Sequence, residues 1–459
     1  MSKVRVRFAP SPTGMLHIGS ARTALFNYLF AKSKGGKYLL RIEDTDLARS
    51  SKEAEAEILA SMKWLGLVAD EAPLYQAQRV ARHKEVVKQL LTAGKAYYCY
   101  ATKAELDELR ATAIAKKQRF KYDNRWRDRD ISEAPEGVEP VVRIKAPLTG
   151  ITEFNDLVQG NIKIKNEEIE DFIILRSDGT PTYMLAVVVD DIDMQISHII
   201  RGDDHLTNTP KQIILYNALN YAYPEFAHIP LIYGPDGKKM SKRHGATAVS
   251  EYIDLGYLPE AMRNYLLRLG FAHGDAEIIS DENAVKWFDF SKVGKSPARF
   301  DFKKLDNLNA HYLTNKDNDA LMKYLCQEYP DLSKLEQERI LALLAEIKVR
   351  AKNLVELRQD VLFLRENFKS QNNLTDKAKK AIEESAAHQT KLIAFYQEIN
   401  DFSHDNLYEQ TKFFAEQHDI KLKHIAGFLR AKITASHISP SIFMIMEVLT
   451  KAETLRRLA

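Results

Sequence analysis

Cysteine is almost missing from this chain: Cys99 and Cys326 are the two in 459 residues, and no Cys-x-x-Cys occurs. A disulfide framework and a cysteine-rich metal site are thereby excluded, and a reducing, cytoplasmic setting is expected. An excess of one charge is missing too. Lys and Arg number 66 against 63 Asp and Glu, a formal net charge of +3, so any basic surface for a nucleic acid has to be local. No window approaches the uncharged run that crosses a bilayer, and no membrane partner is expected. The opening Met1-Ser2-Lys3-Val4-Arg5-Val6-Arg7 lacks the apolar centre of a signal peptide. Internal repeats and low-complexity tracts are absent as well.

What is present is the balance of an ordinary globular protein, 45% hydrophobic and 28% charged. At roughly 150 residues per domain the length suits about three domains, enough to bury a sizeable core. Val4, Val6 and Phe8 alternate with Arg5 and Arg7, predicting a strand with one face buried. Pro10, Pro12 and Gly14 break it. From Ile18, the residues Ala21, Leu25 and Leu29 recur at helical spacing, and Tyr38–Ile42 is a second strand ending at Glu43-Asp44-Thr45-Asp46. Strand, helix, strand opens a parallel α/β sheet, whose ligands bind beyond the carboxyl ends of the strands.

The texture changes from Ala96 to Val189, with charged helical stretches such as Lys103 to Arg119 and short strand-like runs such as Val141–Ile144. It reads as an α+β insertion splitting the nucleotide-binding domain. Ile196–Arg201 returns to a buried strand, and Thr209-Pro210 starts a helix. Past Gly245 the pattern is almost wholly helical. Ile340, Leu343, Leu344, Ile347 and Leu354 form one apolar stripe within a helix reading from Leu335 to Phe368, Lys369–Thr375 reads as a linker, and Ile425, Phe428, Leu429 and Ile433 mark a last core face. By itself the pattern reaches an α/β nucleotide-binding protein with a helical C-terminal half.

Two segments carry the chemistry. Pro10-Ser11-Pro12-Thr13-Gly14-Met15-Leu16-His17-Ile18-Gly19-Ser20 lies at a strand-to-helix junction, where helix N–H groups and the dipole favour anions. Lys239-Met240-Ser241-Lys242-Arg243 lies in a loop able to set two ammonium groups on phosphate oxygens. A lone His17 reads most simply as a cap or a satisfied core histidine, and the loop alone as a solvated basic turn. Their coincidence in order and spacing resembles the HIGH and KMSKS signatures of class I aminoacyl-tRNA synthetases.

Further segments resemble the glutamyl-tRNA synthetase family of bacterial type over essentially the whole chain. They are Arg7–Gly14, Arg41–Asp46, Pro181-Thr182-Tyr183, Val189–Ile192, Arg201–Pro210, Ser296–Asp301 and Leu308–Tyr312. The resemblance implies ATP-dependent attachment of L-glutamate to tRNA(Glu) through a glutamyl adenylate, releasing AMP and pyrophosphate, with Mg²⁺ bridging the phosphates. It also implies activation that depends on bound tRNA. Residue by residue, it implies His17, Lys239 and Lys242 as catalytic groups. ATP would be held by His17, Gly19, Ser20, Lys239, Met240, Ser241, Lys242 and Arg243, and glutamate by Arg7, Ser11, Glu43, Tyr183 and Arg201. An exposed strand residue is the plain alternative for Arg7, and a core tyrosine for Tyr183.

The implied fold is α/β, a Rossmann-type parallel-sheet nucleotide-binding domain with an α+β insertion, followed by an all-helical C-terminal half. Its implied domains are a split Rossmann-type catalytic domain at 1–95 and 190–245, an acceptor-end insertion at 96–189 and a stem-contact region at 246–312. Helical anticodon-binding subdomains are implied at 313–370 and 376–459. Structural zinc is not expected, since Cys99 stands alone where some relatives carry a cluster and a tetrahedral site needs four ligands. An editing site is not expected either, because a charged side chain is discriminated by the site that binds it. Charging of tRNA(Gln), in addition or instead, stays open, as does the anticodon reader, for which Arg350 and Arg358 qualify. A monomer is expected. A catalytically silent tRNA-binding protein is the alternative of a different class, opposed by the presence of His17, Gly19, Lys239 and Lys242. A shortened paralogue that glutamylates a modified base in tRNA lacks the helical half present here. Glutaminyl-tRNA synthetase has a β-rich C-terminal half instead.

Overall fold

The alternating start of the chain forms strand β1 (Arg5–Phe8), and the apolar runs after it form helix α1 (Ile18–Ser33) and strand β2 (Lys37–Ile42). The computed structural model describes residues 3–46, 49–118, 120–370 and 374–459. Residues 371–373 of the expected linker and Arg119 of the charged stretch lie outside the described residues. β1 pairs parallel to β2 from Arg5–Lys37 to Phe8–Leu40. A strand with one covered face was expected, but Val6, Arg7 and Phe8 are all buried. Parallel strands fed by crossover helices are covered on both faces, which removes the alternation. α1 is interior for the same reason, with Ile18, Ala21, Leu25, Phe26, Leu29 and Phe30 all buried. At the α1–β2 turn only glycine fits, since a Cβ on Gly36 would stand 2.4 Å from the Val4 carbonyl oxygen.

Helix α2 (Lys52–Trp64) begins where Ser51 accepts the Ala54 N–H, and β3 (Leu74–Tyr75) extends the sheet in the order β1-β2-β3. Helix α3 (Val80–Thr92) leads to β4 (Ala96–Cys99), α4 (Lys103–Ala115), β5 (Val141–Ile144), β6 (Ile151–Asp156), β7 (Gly160–Lys165) and β8 (Ile173–Leu175). Strands β4, β5 and β8 make an antiparallel sheet. The chain then forms α5 (Tyr183–Asp193), β9 (His198–Gly202), α6 (Thr209–Ala218), β10 (Glu225–Ile229) and β11 (Ile232–Tyr233). Val86, Val142 and Leu185, from α3, β5 and α5, share one apolar core. The β6–β7 hairpin pairs through Asp156 with Phe226 of β10, giving the order β7-β6-β10-β9. Ser197 ties that sheet to the first: its N–H donates to the Arg5 carbonyl at 2.9 Å, and its Oγ accepts the Arg5 N–H at 2.8 Å.

Helices α7 (Val249–Asp254), α8 (Pro259–Arg268) and α9 (Asp281–Trp287) follow, then β12 (Ala298–Arg299), parallel to β11. By its internal contacts the chain divides into two units, Met1–Ile253 with Met262–Asp301, and Asp254–Ala261 with Phe302–Ala459. In the second, α10 (Phe302–Asn315), α11 (Asn318–Glu328), α12 (Lys334–Lys348), α13 (Leu354–Asp360), α14 (Asp376–Ser385), α15 (Gln389–Glu398), α16 (His404–Gln417), α17 (Leu422–Thr434) and α18 (Ile442–Leu458) share one apolar core. Ile340, Leu343, Leu344 and Ile347 form its α12 stripe, and Ile425, Phe428, Leu429 and Ile433 its α17 stripe. Leu354 does not continue the α12 stripe, and the expected helix from Leu335 to Phe368 is broken. Asn353 caps a new helix, its side chain accepting the Glu356 N–H at 2.8 Å.

Candidate active site

The carboxyl ends of β1, β2 and β9 and the N-terminus of α1 open onto a cavity of about 590 Å³. It lies where chain connections leave in opposite directions, from β1 through α1 and from β9 through α6, as expected of a site in an open parallel sheet. Arg7, Ser11, His17, Gly19, Ser20, Glu43, Tyr183, Arg201, Lys239 and Met240 all line it. Ser241 and Arg243 are not among the lining residues. The side chain of Lys242 lies outside the described residues; its backbone opens a short 3₁₀ turn, Lys242–His244.

His17 is the N-cap of α1, in extended backbone, and its Nδ1 accepts the Gly19 N–H at 3.0 Å. That contact fixes the tautomer: Nδ1 is the acceptor, so the proton sits on Nε2, free to donate. Burial, and then the Lys239 charge, hold the imidazole below its ordinary pKa, so it is neutral at pH 7. The cap reading and the ligand reading of His17 therefore describe two nitrogens of one ring. A Cβ on Gly19 would lie 3.2 Å from that Nδ1.

Buried charge surrounds the other end of the cavity. Arg7 donates to Asp191 through Nε (2.9 Å) and Nη2 (3.2 Å), and Arg41 donates to the same carboxylate through Nη1 at 2.5 Å. Arg41 Nη2 reaches Glu43 at 3.0 Å. Burial pushes the Glu43 carboxyl up, and Arg41 only partly opposes it. Arg7 is 4% exposed, so it is not an exposed strand residue. Tyr183, the first residue of α5, is half-buried on the cavity wall, its hydroxyl 3.5 Å from His205 Nδ1.

Arg201, on β9, is held by three neighbours. Its Nε donates to His228 Nε2 at 3.1 Å, and Nη2 donates to Thr209 Oγ1 at 2.7 Å and Gln212 Oε1 at 2.8 Å. Its Nη1 is buried with no partner among the described residues. Burial, with Arg7 among the nearby charges, pulls the Arg201 pKa down. A cation in this state is a receptor for an anion.

After β11 the chain makes a tight loop, Gly234 N–H to Lys238 O at 2.8 Å and Met240 N–H to Ile232 O at 3.0 Å. It presents Lys239 to solvent, with Nζ 3.4 Å from Asp204. The Ser241 N–H donates to His244 Nδ1 at 3.1 Å, and Arg243 lies 3.5 Å from Asp236.

Sequence reasoning passed over several groups. Asp191 joins Arg7 to Arg41, and beside it Asp190 takes His83 Nε2 (2.9 Å), Arg79 Nε (2.8 Å) and Gln76 Nε2 (2.9 Å). The available signal was two aspartates on the apolar run Val187-Val188-Val189, since carboxylates on a buried face need partners. Arg22, on the cavity wall, donates to the carbonyls of Leu269 and Pro230, and burial lowers its pKa to about 10. His228 carries no local signal at all. Cys99 is buried, its sulfur 3.2 Å from the Tyr122 hydroxyl, and among the described residues no group of three or more His, Cys, Asp and Glu is placed to hold a metal ion.

Comparison with known proteins agrees along the whole length. The family described as tRNA synthetases class I (E and Q), catalytic domain, matches residues 3–307, and an anticodon binding domain matches residues 318–459. Glutamate–tRNA ligase 2 of Zymomonas mobilis is 51% identical, covering 99% of this chain and 96% of that protein. Glutamate–tRNA ligase 1 of Acidiphilium cryptum is 49% identical over 99% and 98%. The crystal structure of a glutamate tRNA ligase from Elizabethkingia meningosepticum, in complex with its amino acid, superposes with a TM-score of 0.87 at 33% identity, covering 100% of this chain and 98% of that one. With a parallel-sheet catalytic half, a helical C-terminal half and relatives matched end to end, the chain belongs to the glutamate–tRNA ligases, a family of class I tRNA synthetases.

Proposed function

We propose that this enzyme joins L-glutamate to tRNA(Glu), using ATP to form a glutamyl adenylate and releasing pyrophosphate and then AMP. One observation carries the choice of amino acid: the charge balance at the inner end of the cavity. Three guanidinium groups, Arg7, Arg41 and Arg201, stand there with two carboxylates, Asp191 and Glu43, and the Arg201 Nη1 lacks a partner among the described residues. A surplus of one positive charge suits glutamate, which carries net charge −1, and not glutamine, which carries none. Arg7 and Arg201 would take the side-chain carboxylate, Glu43 the ammonium, and Ser11 and Tyr183 the remaining wall. Desolvated guanidinium groups left unpaired by a neutral amide explain rejection without editing.

Activation needs the α-carboxylate in line with the α-phosphate and charge stabilisation as pyrophosphate leaves. His17 Nε2–H is free to donate to phosphate, Gly19 and Ser20 admit the nucleoside to the start of α1, and Lys239, Met240, Ser241, Lys242 and Arg243 supply the loop that neutralises the leaving group. ATP brings Mg²⁺ with it. An ion bound chiefly by phosphates and water needs only one or two protein carboxylates, and Asp204 on the cavity wall fits that part. Residues 96–189 would meet the acceptor end and 246–312 the stem. The subdomains at 313–370 and 376–459 would read the anticodon, a role supported by the anticodon-domain match. The enzyme is proposed to act as a cytoplasmic monomer. Among the described residues no helix is long and apolar enough to cross a membrane.

The deciding experiment is glutamate acylation of purified tRNA(Glu) and tRNA(Gln), side by side, with ATP and Mg²⁺. Charging of tRNA(Glu) alone is expected. Charging of tRNA(Gln) would make the enzyme a relaxed or tRNA(Gln)-directed member of the family, and acceptance by neither would overturn the reading.

A further inference from the structure

We infer that Asp156 and His228 form a positioning pair that sets the orientation of Arg201, and thereby the grip on the substrate's side-chain carboxylate. This rests on the assignment of Arg201 to glutamate above.

The chain of contacts runs inward from the backbone. Asp156, the last residue of β6, accepts the N–H groups of Val158 (2.9 Å), Gln159 (2.8 Å) and His228 (3.1 Å to Oδ2). Burial opposes its ionisation, but these donors and His228 together hold it below the usual carboxylate range. Its Oδ2 lies 2.6 Å from His228 Nδ1. An ionised carboxylate there can only accept, so the proton sits on Nδ1 and Nε2 carries the lone pair. That lone pair faces Arg201 Nε at 3.1 Å and the Thr209 hydroxyl at 3.0 Å. Each of these contacts then has a donor and an acceptor: Nδ1–H to Asp156, Thr209 O–H and Arg201 Nε–H to His228 Nε2, and Arg201 Nη2–H to Thr209 Oγ1 and Gln212.

Nε and Nη2 are consumed, and Nη1, with no partner among the described residues, remains for a ligand. The other tautomer would present an N–H to the guanidinium and push it away. The fused carboxylate–imidazole–guanidinium chain is therefore directional. It draws on β6, β9, β10 and α6, with Asp156 and His228 buried and Arg201 on the cavity wall. A histidine that merely filled the core would work in either tautomer.

The test is steady-state aminoacylation of tRNA(Glu), with KM for glutamate and for ATP measured separately. His228→Asn keeps an amide donor near Nδ1 but leaves nothing to accept Arg201 Nε–H. Glutamate KM is expected to rise roughly ten- to a hundredfold, the scale of a lost hydrogen bond to a charged group, with ATP KM unmoved. His228→Gln places a carbonyl oxygen near Nε2 and is expected to recover part of that loss. Should His228→Asn not fold, Thr209→Val removes the hydroxyl between the two groups and is expected to shift glutamate KM alone, by a smaller factor. An unchanged glutamate KM in these variants, or a parallel rise in both KM values, would overturn the inference. Arg201→Ala separates the two claims. If it raises glutamate KM while the His228 variants do not, only the positioning pair falls; if it has no effect, the assignment of Arg201 falls with it.

Discussion

Asp191→Asn tests the charge cluster most directly. Asp191 is 1% exposed, with Oδ1 2.9 Å from Arg7 Nε and 2.5 Å from Arg41 Nη1, and Oδ2 3.2 Å from Arg7 Nη2. Burial works to raise its pKa, and Arg41 and Arg7 outweigh it, so the carboxylate stays ionised below the ordinary range. Asparagine has the same shape, so no cavity opens. What changes is that two buried guanidinium groups lose their shared anion, and Arg41 keeps Glu43 and the more distant Asp190, which is itself taken up by His83, Arg79 and Gln76. Removing one partner of a buried ion pair costs about 3–5 kcal/mol. Trp64, Trp126 and Trp287 all belong to the unit that holds the cavity, and the other unit has no tryptophan. Tryptophan fluorescence during urea unfolding therefore reports the affected unit alone, and the slope should not change while the midpoint falls. Because the folded pKa is lowered, this stabilisation is present above the unfolded value of about 3.9 and fades as pH falls through the folded one. Wild type and variant should thus converge only in strongly acidic solution. A loss below about 1 kcal/mol at pH 7 would refute the reasoning, since that is the scale of a solvated pair.

Three further outcomes follow from the cavity. Lys239→Ala should slow glutamate activation, measured as tRNA-dependent ATP–pyrophosphate exchange, by roughly a hundred- to a thousandfold, and the same is expected of Lys242→Ala; a near-wild-type rate would remove that lysine from the site. Gly19→Ala should leave the urea midpoint level or slightly raised, since alanine favours helix by up to about 1 kcal/mol. Its methyl group, 3.2 Å from His17 Nδ1, should nevertheless lower kcat/KM for ATP roughly ten- to a hundredfold by displacing the ring. His17 has a folded pKa below its unfolded value of about 6.5, so the folded state binds that proton more weakly and loses stability as pH drops through this region. His17→Asn keeps a side-chain acceptor for the Gly19 N–H and cannot be protonated. Between about pH 7.5 and pH 5 it should lose less stability than wild type, and an equal loss would place His17's shift elsewhere.

How much of this was legible in the sequence follows from the range of each interaction. The β1–α1–β2 opening was readable because each part is local: alternation over five residues, a Pro/Gly break, then a helical period. The two signature segments were readable for the same reason, and Arg7, His17, Glu43, Arg201 and Lys239 do line one cavity. Arg41–Asp191 is another matter, for the partners are 150 residues apart in sequence and meet only after β2 and α5 pack. Asp156 and His228 are 72 apart, and the ring's tautomer depends on backbone N–H groups that no side-chain pattern records. The break after α12 was missed because no Gly or Pro marks it. Asn353 was the visible trace, a residue whose side chain competes for backbone N–H groups and so favours a helix start over a helix interior. Where such a residue interrupts an apolar stripe, or a carboxylate ends one as Asp190 and Asp191 do, the local pattern already states that a partner is required. It cannot state which, because the energy that selects the partner comes from desolvation, and desolvation exists only once the sheet has closed over the site.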